Sequence, residues 1–206
     1  GEKVDLIASG RTDAGVHALG QVANFRLEKD FPIEKMPYAL NSKLKKSIRI
    51  KQAEEVPEKF HSRYTCKKKT YRYVINNSVQ GTAIYRYLQY HFPEKLDENK
   101  MNEALKYLIG EHDFKSFKAR GTSSKSSVRT IYKLDVKQMP QNRIYIEVTG
   151  NGFLYNMVRI ISGTLVDVGI GKIKPEEIEK IIKSKDRSQA GKTLPPNGLY
   201  LLNVEY

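Results

Sequence analysis

IYKLDVKQMPQNRIYIEVTG, residues 131–150, is the stretch that decides the fold class. In 131–137, Tyr132, Leu134 and Val136 fall on one face of an extended segment, and in 143–149, Ile144, Ile146 and Val148 do the same. Pro140, Gln141 and Asn142 stand between them, residue types that favour turns, so the stretch predicts a β-hairpin and with it an antiparallel pair. A nearly all-apolar segment follows, predicting a buried helix over 153–168.

Working outward, Pro175, Glu176 and Glu177 open a short helix with Ile178, Ile181 and Ile182 on its inner face. LYLLNVEY (199–206) reads as a closing strand. Upstream, Asp97 caps a helix over 97–109 whose Met101, Ala104, Leu105, Leu108 and Ile109 recur at helical spacing, with Gly110 ending it. TYRYVIN (70–76) is β-branched and aromatic and reads as a strand. The second half is thus strand–helix–strand–strand–helix–helix–strand, close to a ferredoxin-like unit. In the first half, strands are expected at 3–8, 19–27 and 48–56, with a helix over 33–46 disturbed early by Pro37. That half lacks the opening strand and helix that would match it to the second. Adjacent strands joined by short turns predict an α+β fold with a mostly antiparallel sheet, divided into 1–65 and 66–206. Residues 118–129, polar, small and basic, are expected to form a mobile loop.

The chain has 206 residues, 39% hydrophobic and 29% charged, a balance that supports a real core and excludes a disordered chain. Its net charge of +13 points first to a polyanionic partner, nucleic acid above all. Cys66 is the single cysteine, so neither an intrachain disulfide nor a thiolate metal cluster is available. His17, His61, His91 and His112 are scattered, and no metal site is expected. No apolar run reaches bilayer length and the first residues read as a strand rather than a signal peptide, which makes the cytoplasm the expected location.

Two phosphate-binding motifs fail on inspection. Gly191-Lys192-Thr193 lacks the required earlier Gly, since position 186 is Asp. Gly150-Asn151-Gly152 lacks the third Gly of a dinucleotide fingerprint, since position 155 is Tyr. Three other segments remain. Gly10 to His17 holds Asp13 between two glycines, either ordinary turn chemistry or a presented carboxylate. Tyr71 and Tyr73 share one strand face, either as core aromatics or with a ring offered to a base beside phosphate-binding Lys69 and Arg72. Arg159 sits in the middle of the apolar helix, where an unpartnered guanidinium is costly, so a carboxylate is expected to meet it, with Asn156 one turn earlier sharing the contact. Asp13 is one of few acids placed to do so; the pair is either a structural ion pair or an Arg-oriented, ionised nucleophile.

ASGRTDAGVHALGQVANF (8–25) resembles the signature motif of the tRNA pseudouridine synthase A family. FHSRYTCKKKTYRY (60–73), EHDFKSF (111–117), GNGFLYNMVRIISGTL (150–165) and LPPNGLYL (194–201) are similar to further motifs of that family, so the resemblance runs from Asp5 to the C-terminus. It implies Asp13 as the catalytic aspartate, Arg159 as its paired arginine, Arg11 as a side chain that helps extrude the target nucleotide, and Tyr71 as the ring that stacks on uracil. It also implies a homodimer acting on uridines of the tRNA anticodon stem-loop without metal or organic cofactor, and a fold of two ferredoxin-like halves. The Tyr-Asp-Gly-type motif of that family's opening strand and helix has no counterpart, so the chain is expected to lack those elements.

In the implied reaction the N1–C1′ bond breaks and the base rejoins through C5. Asp13 attacks either C1′ or C6, and the C5 proton leaves to Tyr71, water or Asp13. Lys43, Lys45, Lys46, Lys67, Lys68, Lys69 and the 118–129 loop are expected to meet the RNA backbone. A non-catalytic RNA-binding protein, a protein basic for unrelated reasons, and the same chemistry on another RNA are the rival readings.

Overall fold

The computed structural model describes residues 3–121, 124 and 126–206. Its fold is α+β with a mostly antiparallel sheet. Nine strands and four α-helices are found among these residues: β1 Ile7–Ala8, β2 His17–Ala18, β3 Ala23–Asn24, α1 Met36–Lys43, β4 Lys68–Asn76, β5 Tyr90–His91, α2 Glu98–Leu105, β6 Gly110–Asp113, β7 Val128–Met139, β8 Arg143–Gly150, α3 Met157–Gly169, α4 Glu177–Ser184 and β9 Leu199–Glu205. The chain divides into two compact units, one of residues 1–9 and 22–65, the other of residues 10–21 and 66–206.

The larger unit is built on a seven-stranded sheet in the order β2-β9-β4-β8-β7-β6, with β5 alongside β4. Within it, β9-β4-β8-β7 with α2 and α3 as crossovers is the strand order of a ferredoxin-like unit. The β7–β8 hairpin forms as expected, its turn carried by Gln141 and Asn142 at positive φ. One detail departs from the alternation. The register of β7 against β8 shifts between Ile131 and Lys133, leaving Tyr132 as an extra residue. The bulge turns Tyr132 out to solvent and puts Ile131 into the core with Leu134 and Val136.

One face of the sheet carries Tyr73, Ile75, Leu134, Val136, Ile144, Ile146 and Val148 against α2 (Met101, Leu105) and α3 (Ile160, Ile161, Leu165). Asp97 caps α2 by accepting from the Lys100 amide at 3.1 Å, and Gly110 breaks out of the following turns at φ +109°. α3 starts later than the apolar run suggests. Asn156 adopts the left-handed conformation at φ 60° and serves as the cap, its carbonyl accepting from the Ile160 amide at 3.0 Å, so the helix itself begins only at Met157. Among the described residues no helix is long and apolar enough to cross a membrane.

The smaller unit pairs β1 with β3 over two residues each and holds α1, whose second position is Pro37. The expected strand over 19–27 survives only as Ala23–Asn24, and the two residues before that span form a separate strand. His17–Ala18 pairs in parallel with β9 in the larger unit, whereas Ala23–Asn24 pairs with β1 in the smaller one. The expected strand over 3–8 survives only as Ile7–Ala8. The expected strand over 48–56 is absent: these residues are irregular. There the Asn41 side chain donates to the Ile50 carbonyl at 2.9 Å and accepts from the Ile50 amide at 2.8 Å, taking the place of a ladder partner. Of the 118–129 loop, Thr122, Ser123 and Lys125 lie outside the described residues.

Candidate active site

The turn at 13–16 presents Asp13. Val16 donates its amide to the Asp13 carbonyl at 3.0 Å, and Gly15 occupies the third position at φ +85°, where a side chain is strained. A Cβ on Gly15 would also stand 3.1 Å from Cγ of Pro196, so the turn rests directly on the segment before β9. Immediately after the turn, β2 pairs with β9, and His17 stacks on Tyr200 at 4.8 Å between ring centroids. His17 Nε2 also meets the Tyr87 carbonyl at 2.9 Å.

The carboxylate expected at Arg159 is there, and it is Asp13. Arg159 Nη1 donates to Asp13 Oδ2 at 3.0 Å and to Asn156 Oδ1 at 2.8 Å, while Nε donates to the Leu194 carbonyl at 2.6 Å. The left-handed Asn156 and the first turn of α3 put these two side chains side by side. The Arg159 side chain is 14% exposed and that of Asp13 36%, so a mostly buried cation holds a carboxylate that solvent and substrate still reach. That is the geometry of an oriented nucleophile or general base with its charge compensated.

Tyr71 lies on β4 with Tyr73, on the face turned towards α3. Its ring meets Phe153 edge to face at 5.3 Å, and it is partly buried. Burial, together with Cys66 and the Asp13 charge, pushes its phenol up to about 12. Lys69 stands beside the turn, its Nζ 3.3 Å from where a Cβ on Gly10 would lie. Arg11 is exposed two residues before the turn. The geometry therefore gathers Asp13, Arg159 and Asn156 through hydrogen bonds, with Tyr71 near enough to feel the Asp13 charge, and leaves Arg11 at the surface.

Side-chain reasoning did not find the segment 194–198. Leu194 gives its carbonyl to Arg159, Pro195 gives its own to the Tyr73 hydroxyl at 2.7 Å, and Pro196 underlies Gly15. Asn197 Nδ2 donates to the Arg86 and Gln89 carbonyls at 3.0 and 2.7 Å. Backbone acceptors carry no signature in a list of side chains; the signal available was the run LPPNGLYL, singled out by its resemblance to a family motif.

A family model described as tRNA pseudouridine synthase matches residues 1–65 and 104–206. Over its whole length the chain is 52% identical to the tRNA pseudouridine synthase A of Caldicellulosiruptor saccharolyticus, covering 84% of that relative. It is 52% identical to the same-named protein of Acetivibrio thermocellus, covering 84% of it, and 47% identical to that of Bacillus subtilis, covering 83%. With a carboxylate turn, its arginine and the neighbouring tyrosine assembled on a mostly antiparallel sheet, the chain belongs to the tRNA pseudouridine synthase A family.

Proposed function

We propose that this chain isomerises uridine to pseudouridine in the anticodon stem-loop of tRNA, with Asp13 as the reacting carboxylate. The Asp13–Arg159 pair at 3.0 Å carries the reading: the chemistry needs a carboxylate that is oriented yet reachable, and this one is both. The target base leaves its stack at a cost of roughly a few kcal/mol, and Arg11, exposed just before the catalytic turn, fills the gap it leaves. Tyr71 takes the flipped uracil on its ring, next to Asp13. Asp13 then adds to C1′ or to C6, the N1–C1′ bond breaks, and the base turns. The C5–C1′ bond forms, the bond to Asp13 breaks and frees the carboxylate, C5 releases its proton, and N1, no longer bonded to the ribose, takes one up. A phenol pushed up to about 12 keeps its own proton at neutral pH, so this reading gives the C5 proton to Asp13 or to water rather than to Tyr71. Arg159 holds the carboxylate in place throughout.

The reading extends to a homodimer working without metal or organic cofactor in the cytoplasm, on a backbone in which 66–206 is a ferredoxin-like half and 1–65 a partial one that carries the catalytic loop. Lys43, Lys45, Lys46, Lys67, Lys68 and Lys69 supply phosphate contacts, consistent with the +13 charge. The test is to incubate the chain with unmodified tRNA transcripts and map pseudouridine by carbodiimide adduct formation and primer extension. Pseudouridine in the anticodon stem-loop is expected. Modification elsewhere would overturn the target assignment, and tight tRNA binding with no modification would favour a non-catalytic RNA-binding role.

A further inference from the structure

Arg159 can hold Asp13 only if something fixes Arg159, and the structure shows an unusual fixing. Residues 190–195 have no regular structure, yet they run directly beneath the site. Leu194 grips Arg159 twice: its carbonyl accepts from Nε at 2.6 Å and its amide donates to the Arg159 carbonyl at 3.3 Å. The next carbonyl, that of Pro195, accepts from Tyr73 at 2.7 Å. Tyr73 is fully buried in the middle of β4, paired with Ile146 on one side and Leu199 on the other, so its hydroxyl is anchored to an inner strand of the sheet. Gly198 closes the grip. A Cβ there would come within 2.7 Å of the Tyr73 ring, so the backbone lies flat against it.

We propose that Tyr73 is a positioning residue: by fixing the Pro195 carbonyl, its hydroxyl sets where Leu194 holds Arg159 and hence where Arg159 holds Asp13. An irregular segment takes its place from its hydrogen bonds, and here adjacent peptide carbonyls link the sheet to the guanidinium. Pro196 extends the link to the Asp13 turn itself through Gly15. The side chain never touches the substrate; it acts through the 194–196 backbone. The inference rests on the functional reading above.

Tyr73→Phe keeps the ring against Gly198 and removes only the hydroxyl. Steady-state tritium release from tRNA containing 5-tritiated uridine is measured alongside the Arg159 Nε–H resonance in 15N-labelled protein. The expected result is a kcat lowered about 10- to 100-fold, with KM for tRNA within about twofold and the Nε–H resonance displaced. Unchanged kcat, or a displaced KM with an unmoved resonance, overturns the proposal. If the unaltered chain releases no tritium, the functional reading fails. The resonance then decides the coupling alone: displacement supports it and constancy overturns it. Should Tyr73→Phe fail to fold, Asn197→Ala loosens the same segment from its outer end. A smaller kcat loss at constant KM supports the proposal, and no change overturns it.

Discussion

The two compact units differ sharply in how they are held. In residues 10–21 and 66–206, a six-strand path through the sheet and two covering helices bury nearly every apolar side chain that faces inward. In residues 1–9 and 22–65, Met36 is the one hydrophobic residue counted as buried among those described, while Leu6, Tyr38, Ile48 and Tyr64 are exposed. Asp13, Arg159, Asn156 and Tyr71 all belong to the first of these. The roles proposed for them need positions fixed to a fraction of an ångström, which a densely packed scaffold supplies. Although Asp13 lies early in the sequence, its turn is held by β9 and the segment before it rather than by its sequence neighbours.

The sharpest break of that comparison is at Arg159. Arg159→Leu removes the partner of Asp13 and of the Leu194 carbonyl at once. Turnover is expected to fall on the order of 100- to 1000-fold in a protein that still folds by circular dichroism. Retained turnover in the folded variant would sink the pairing. Next in size, Ile146→Ala in the sheet core is expected to cost about 2–5 kcal/mol by urea titration, and Met36→Ala in the smaller unit clearly less. Equal costs would contradict the contrast in packing.

A subtler effect concerns alkaline pH. The folded-state value of Tyr71, about 12, lies above the ordinary phenol value of 10. Its contribution to stability is therefore complete below about pH 10 and is lost as pH rises through about 12. Tyr71→Phe has no such proton to lose, so its melting temperature is expected to decline less steeply over that window. Parallel declines would contradict the burial assigned to the ring. Smallest of all, Arg26→Leu breaks the Arg26–Glu58 pair of the smaller unit, whose side chains are 75% and 82% exposed. Stability is expected to change by no more than about 0.5 kcal/mol.

Much of this was legible in the sequence, for reasons that separate the two units again. Strands with one buried face alternate visibly, so β7 and β8 were readable, and the capped, periodic α2 was too. The bulge at Tyr132 was not, because a one-residue insertion leaves composition untouched. In the smaller unit, elements of two residues leave no period to detect, and Asn41 satisfies Ile50 where a strand was expected. The pairing of Arg159 with a carboxylate followed from the cost of burying a lone cation in an apolar helix, and the structure shows that pairing with Asp13. The 194–198 run was noticed only as part of a family-like motif, and its role escaped because it acts through carbonyl oxygens, which every residue has.

The most direct test of the account compares the chain with Asp13→Asn on tRNA carrying 5-tritiated uridine, since forming the C5–C1′ bond expels the C5 hydrogen. Tritium released by the unaltered chain and not by Asp13→Asn, with tRNA affinity equal in both, is the expected result. Release at comparable rates from both proteins would contradict the assignment of Asp13 as the reacting carboxylate.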